Sequence, residues 1–218
     1  MPQLKPDIET FARIKVVGIG GSGGNAIHRM MRARIKGVDY IAVNTDVQAL
    51  HYHRAPVKVH IGRSTTRGLG AGMNPQLGKE AAEENRKDIK EVLDGADLVF
   101  LTSGLGGGTG TGGIPIIADI AQELGALTIA VVTKPFTFEG SERRKIAEDG
   151  WQELQGRVDA LISIPNDKLL SLIHEETTLE KAFLICDDVL RSAVQGISDI
   201  VTTPGIVNVD FADVRTVL

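Results

Sequence analysis

A chain of 218 residues with 42% hydrophobic and 24% charged residues has the composition of a globular domain large enough to bury its own core. Its formal net charge of −4, with no basic stripe carrying interleaved aromatics, argues against a nucleic-acid partner, and no apolar run reaches the length of a membrane span or forms a signal-peptide core. Cys186 is the only cysteine, which excludes an internal disulfide and leads to the expectation of a reducing, cytoplasmic setting without direct membrane insertion.

Residues 14–19 form the first predicted strand. It runs directly into Gly20, Gly21, Ser22, Gly23, Gly24 and Asn25, and then into a helical pattern over 26–34. From Gly18 to Gly23 the spacing satisfies G-x-G-x-x-G, in which glycine lets backbone N–H groups face an anion and the following helix adds its positive end. A tight strand-to-helix turn without a ligand is the bland alternative. Further strands are predicted over 40–43 and 57–61. His51, His53 and His60 lie around the second, but without a carboxylate or cysteine at zinc spacing no metal site is expected. Asn74-Pro75 caps and starts a predicted helix that runs to about residue 93.

The strand predicted over 98–102 is followed by a second glycine loop, residues 104–113, and a helix over 114–124 with Pro115 in its first turn. In this loop Gly104, Gly106, Gly107, Gly108, Gly110, Gly112 and Gly113 alternate with Leu105, Thr109 and Thr111. Adjacent glycines allow successive positive φ angles, which can turn N–H groups inward as an anion nest, while Thr109 and Thr111 add hydroxyl donors and possible caps. A strand over 127–133, a helix over 141–155 in which Trp151 packs on the sheet, a strand over 160–164 and a long helix over 178–200 complete the pattern. The apolar strands without polar alternation predict an α/β fold: a doubly wound, mainly parallel Rossmann-like sheet with helices on both faces, and ligands at the carboxyl ends of the strands. The organisation expected is a flexible extension over 1–12 and one domain over 13–218. Thr203-Pro204-Gly205 stops the long helix. A helical pattern opens at 214–218 and the sequence ends one turn into it, so a sequence cut short within a longer protein is expected.

Two phosphate-type loops on neighbouring strands suggest a longer phosphate chain than one dinucleotide turn serves, and no G-x-x-x-x-G-K-[ST] is present, so the chain is not a Walker NTPase. Residues 106–112 read GGGTGTG. With Asn44-Thr45-Asp46, Gly70-Ala71-Gly72-Met73-Asn74-Pro75, residues 134–140 (KPFTFEG), Ile164-Pro165-Asn166-Asp167 and residues 208–213, the chain resembles the tubulin/FtsZ GTPase family from residue 14 to its last residue.

That resemblance implies GTP or GDP binding. Gly20, Gly21, Ser22, Gly23, Asn25, Gly104, Gly107, Gly108, Thr109, Gly110 and Thr111 would surround the phosphates, with Asn44, and Ala71 and Gly72 near the terminal one. Magnesium would be held by phosphate oxygens and water rather than by a protein cluster. Glu139 and Arg143 match positions at the ribose and phosphate edge, where carboxylate-to-hydroxyl and guanidinium-to-phosphate pairings are sensible; the alternative is an i,i+4 ion pair. Asn166, Phe183 and Asp187 match guanine contacts, and a carboxylate accepting from the guanine N–H edge favours GTP over ATP. Asp187-Asp188 is a doublet, and either could supply that contact, with alignment favouring Asp187. Cys186 beside it reads as helix packing.

Asn208, Asp210 and Asp213 match the family's catalytic loop, although acids after a Pro-Gly stop also make ordinary turns and caps. About fifteen helical residues separate Asp187 from Thr202, roughly 22 Å at 1.5 Å per residue. The acids therefore cannot reach their own nucleotide, and the resemblance implies hydrolysis on a neighbouring subunit in a head-to-tail homopolymer. A bacterial division ring at mid-cell, with other division proteins as partners, is the implied setting, and little hydrolysis is expected from this chain alone. A competing reading is an NAD-binding domain resting on Gly18–Gly23 and on Asp46 about twenty residues beyond. Another is a non-catalytic nucleotide-binding module.

Overall fold

A computed structural model describes residues 12–35, 37–170 and 178–202. The expected extension over 1–12 lies almost wholly outside the described residues, and Asn208, Asp210 and Asp213 lie outside them too. Six strands, β1 (Ile14–Ile19), β2 (Val38–Asn44), β3 (Val57–His60), β4 (Leu98–Gly104), β5 (Leu127–Lys134) and β6 (Ala160–Pro165), pair in parallel in the order β3-β2-β1-β4-β5-β6. The order reverses between β1 and β4, so their carboxyl ends form the crevice where open α/β sheets bind ligands.

The helices are α1 (Gly20–Arg32), α2 (Val47–Tyr52), α3 (Arg63–Thr66), α4 (Pro75–Glu84), α5 (Arg86–Leu93), α6 (Gly108–Glu123), α7 (Ser141–Leu154), α8 (Asn166–Leu170) and α9 (Leu179–Thr202), with a 3-10 turn at Thr137–Glu139. Side chains alternate along each strand and sort the core into two layers. Val17, Leu101 and Val132 face α4 to α7, while Val16, Phe100 and Val131 face α1 and α9. Both faces are covered, which is why these strands read as continuous apolar runs.

Two helices differ from the sequence expectation. The helix expected from Asn74-Pro75 to residue 93 divides at Asn85, whose side-chain oxygen accepts from the Gly62 N–H at 2.8 Å and whose amide donates to Asp88 at 2.7 Å. A residue committed to bonds outside the helix cannot continue it. The helix expected from residue 114 starts at Gly108 instead, so Pro115 stands inside it rather than in its first turn.

Glu84, at the end of α4, ties down the segment leading to Gly72. Its carboxylate accepts from the Ser64 N–H at 2.9 Å and the Thr65 hydroxyl at 2.6 Å. These bonds, the Thr65 hydroxyl foremost, hold its carboxyl down at about 2. A depressed carboxyl contributes stability above its unfolded value that is lost as pH falls towards the folded one. Glu84→Gln is therefore expected to lower the melting temperature at pH 7, with the deficit shrinking as pH drops from about 4.5 towards 2 in a thermal-unfolding series.

Candidate functional site

The crevice is built by two helix N-termini. α1 begins at Gly20, where β1 ends, and α6 begins at Gly108, after the turn that follows β4. Neither first turn has a side-chain cap: Ile19 and Gly107 occupy the N-cap positions and supply none. The Gly108 N–H is taken by the Gly72 carbonyl at 2.7 Å, and the remaining first-turn N–H groups, with the positive end of each helix dipole, suit both ends to an anion. Ser22 Oγ accepts from the Gly104 N–H at 2.8 Å and ties the two loops together. The expected nest of successive positive φ angles does not form. Only Gly106 of the three adjacent glycines has one, at 106°, and Gly107 is extended at −99°. Polar recognition here falls to the helix end.

The glycines do two different jobs. At Gly21 and Gly107 an added Cβ would meet no protein atom within 4 Å, and neither has a positive φ. Neither packing nor conformation calls for glycine there; the space a side chain would fill belongs to the pocket. Gly20 needs its φ of +73° and lies close to the α6 backbone, an added Cβ standing 3.2 Å from the Gly110 nitrogen. Gly23, Gly108, Gly110 and Gly112 are glycine for packing, because an added Cβ would overlap neighbouring atoms at each.

The pocket, about 300 Å³, is lined at this end by Gly20, Gly21, Ser22, Gly72, Gly104, Gly107, Gly108, Thr109 and Gly110. Its other end is lined by Asn166, Phe183 and Asp187, with Glu139 and Arg143 on the wall between. Asn166 is 5% exposed at the junction of β6 and α8, and its buried side-chain oxygen has no hydrogen-bond partner among the described residues. A buried acceptor left unpaired is costly, and in a pocket wall it marks where a ligand donor belongs. Phe183 is half-exposed over the pocket and stands edge-on to the buried Phe136, with ring centroids 5.3 Å apart.

Asp187 and Asp188 separate cleanly. Asp187 Oδ2 accepts from Arg29 Nε at 2.7 Å, and its side chain is 14% exposed against the pocket. Burial raises its carboxyl above the usual range, with the Arg29 guanidinium opposing part of that shift. Asp188 is turned to solvent and pairs with Arg191 at 3.2 Å. Helical rotation explains the choice: Ala182, Cys186, Leu190 and Val194 form the core face of α9, and Asp187 borders it. Burial pushes the Cys186 thiol up to about 12, which makes it an unreactive packing residue that also touches the pocket.

Glu139 and Arg143 form the i,i+4 pair, at 2.9 Å, and line the pocket as well. Glu139 also accepts from the Phe136 N–H at 2.9 Å, so its carboxylate is held from two sides. Gly23, Ala71 and Thr111 lie behind the wall. Thr111 accepts from the Gly106 N–H at 2.9 Å and closes the loop from within. Asn25 and Asn44 line a smaller neighbouring cavity of about 130 Å³ with His53. His53 Nδ1 accepts from the Ala55 N–H, so Nε2–H donates to the Gly24 carbonyl, and both ring nitrogens are engaged. Asp46 caps α2 through the Gln48 and Ala49 N–H groups at 2.9 Å, which leaves it turned to its own helix rather than to a ribose. Sequence reasoning missed Arg29, and it named Thr45 and Asp167 only within motifs, without a role. Asp167 clamps the turn before Glu139, accepting from the Thr137 N–H and hydroxyl, and those bonds hold its carboxyl low.

Comparison with known proteins agrees with this architecture. The Tubulin/FtsZ family, GTPase domain, matches residues 13–174. The chain is 56% identical over 212 residues to the cell division protein FtsZ of Wigglesworthia glossinidia brevipalpis, covering 97% of this chain and 55% of that protein. It is 53% identical over 218 residues to the cell division protein FtsZ of Pseudomonas aeruginosa, covering 100% of this chain and 55% of that one. An FtsZ dimer structure from M. jannaschii superposes with a TM-score of 0.92 at 45% identity, covering 98% of this chain and 64% of that chain. The chain thus spans about half the length of the curated relatives it matches. With the match running across most of its residues, the chain belongs to the tubulin/FtsZ family and contains the family's GTPase domain.

Proposed function

We propose that this chain binds GTP and GDP and forms the nucleotide-binding half of a GTPase that polymerises head to tail in bacterial cell division. The observation that carries the reading is the polarity of one pocket. Two uncapped helix N-termini converge at one end, and an unpartnered Asn166 oxygen stands beside the Asp187 carboxylate at the other. Anionic phosphates suit the first end. A base edge rich in N–H donors suits the second, because both of its polar groups accept. Phe183 offers a stacking face, and Arg143 a charge for phosphate. Magnesium would neutralise phosphate charge there and would be held by phosphate oxygens and water rather than by side chains of this chain. Ala71 and Gly72 belong to the segment assigned to the terminal phosphate, and Asn44 is assigned to the nucleotide from the neighbouring cavity.

Catalysis is assigned to Asn208, Asp210 and Asp213 acting on the nucleotide of the next subunit, where they position and polarise water. The continuity of α9 from Leu179 to Thr202 supports that separation, roughly 22 Å from Asp187 to the helix end. The names of the relatives support a role in cell division, and the dimer among the structural neighbours supports self-assembly; a cytoplasmic place at the division site and contact with other division proteins are part of the proposal. Over 13–218 we assign one nucleotide-binding domain, preceded by a short extension, with weak hydrolysis by this chain alone. The test is acid release of bound nucleotide from the purified chain: guanine nucleotide is the expected result, and NAD or an adenine nucleotide in its place overturns the reading.

The raised Asp187 carboxyl adds a pH dependence. Binding uses the carboxylate, so GDP affinity is expected to fall as pH drops through that raised value, which begins above the 3.8 of an ordinary aspartate. Stability without ligand runs the other way: the contribution of a raised carboxyl is present below its unfolded pKa and lost as pH rises through the folded one. Calorimetric titrations across pH 7 to about 4.5 check the first statement, and an Asp187→Asn variant should lose that dependence.

A further inference from the structure

The signature loop is held from behind by a contact that the assignment above does not use. Thr45, directly after β2, and Thr109, in the first turn of α6, place their hydroxyl oxygens 2.6 Å apart. Thr45 is fully buried, while Thr109 is 8% exposed and lines the pocket. The backbone of Thr45 is pinned: its carbonyl accepts from His60 Nε2 at 3.2 Å, and the preceding Asn44 carbonyl accepts from the Ile61 N–H at 3.0 Å. The Thr45 hydroxyl is therefore presented to α6 from a fixed strand end.

Two hydroxyls can share one contact in either sense, and burial decides which. Among the described residues, Thr109 is the only hydrogen-bond partner of the Thr45 hydroxyl. If Thr109 donated, the Thr45 hydrogen would be left in a dry interior with no acceptor. Thr45 donating leaves the Thr109 hydrogen free on the side that faces the pocket. Thr109 sits too early in α6 to return that hydrogen to a helical carbonyl one turn back, the usual alternative for a helix threonine. We propose that Thr45 is a positioning residue for phosphate: its hydroxyl donates to Thr109 and thereby directs the Thr109 hydroxyl at a phosphate oxygen of the bound nucleotide. The chain of donors runs from the buried strand end to the anion, each bond polarising the next. This inference rests on the guanine-nucleotide reading. It assigns to Thr45 an effect on the phosphates and none on the base.

The test compares GDP with guanosine, which has the base and sugar but no phosphate, on the full chain. Wild-type binding of GDP first establishes the reading itself; if GDP does not bind, that reading has failed before Thr45 is judged. Thr45→Val, which keeps the volume and removes the hydroxyl, is expected to weaken GDP by about fivefold to tenfold and guanosine by less than about twofold. Thr45→Ser is expected to restore GDP binding. In a Thr109→Val background, Thr45→Val should add less than about twofold, because the group it directs is gone. Equal losses for GDP and guanosine, additive losses in the double variant, or failure of Thr45→Ser to rescue would each overturn the proposal. If Thr45→Val does not fold, Thr45→Ala removes the same hydroxyl without adding bulk and carries the same expectations.

Discussion

Gly112→Ala is expected to destabilise the protein by about 3 kcal/mol or more, a melting-point loss of roughly 6–12 °C for a chain of this size, whether or not nucleotide is present. The reason lies in the contact between α4 and α6. An alanine Cβ at Gly112 would fall on the Pro75 carbonyl oxygen and within 2.8 Å of the Lys79 nitrogen. Both are backbone atoms, so relief requires moving a helix rather than turning a side chain. Gly78 on α4 is the reciprocal residue, where a Cβ would fall on the Gly108 carbonyl oxygen. The two helices thus approach backbone to backbone, and α4 fixes the position of the α6 N-terminus. Gly107→Ala is the informative contrast. It meets no protein atom within 4 Å, so the melting point should stay within about 1–2 °C while nucleotide binding weakens, because the new methyl enters the pocket. Thermal unfolding with and without GDP separates the two glycine roles.

Asp187→Asn is expected to weaken GDP binding by roughly 30- to 100-fold, the equivalent of about 2–3 kcal/mol, and to remove most of the preference for GDP over ADP. The carboxylate already accepts from Arg29 with one oxygen, which orients the other. An amide keeps the shape but can accept through one atom only, and its NH₂ group would face either Arg29 or the N–H edge of guanine. Both juxtapositions set donor against donor. Stability of the ligand-free protein should change by less than about 1 kcal/mol, because the variant also relieves a carboxylate that burial disfavours. Competition calorimetry with GDP and ADP checks both statements. An unchanged preference would place guanine recognition elsewhere.

The two core layers were readable because strands buried on both faces leave an unbroken apolar signature; the runs in β1, β4 and β5 needed no further context. The start of α6 was not readable. Glycine and threonine are poor helix formers, and a stretch of them reads as loop. Its helicity comes from tertiary packing that only glycine permits, between Gly112 and Pro75 and between Gly78 and Gly108. Asn85 likewise ends α4 through partners at Gly62 and Asp88, one of them 23 residues away. Within the pocket, residues in glycine loops or matching family motifs were legible. Contacts made by a distant partner were not: Arg29 meets Asp187 across 158 residues, and Thr45, visible only as part of a motif, meets Thr109 across 64. No local pattern announces either pair. The choice between Asp187 and Asp188 lay between these cases, since the face of α9 that enters the core was visible as Ala182, Cys186, Leu190 and Val194 only once the helix was placed.

In the proposed reading, one pocket carries phosphate at the end made by two helix N-termini and guanine at the end made by Asn166 and Asp187. Thermal unfolding of the nucleotide-stripped chain in parallel with GDP, ADP and NAD tests it most directly. A rise in melting temperature with GDP that ADP and NAD do not reproduce at equal concentration is the result the account predicts. An equal rise with ADP or NAD, or none with GDP, would contradict it.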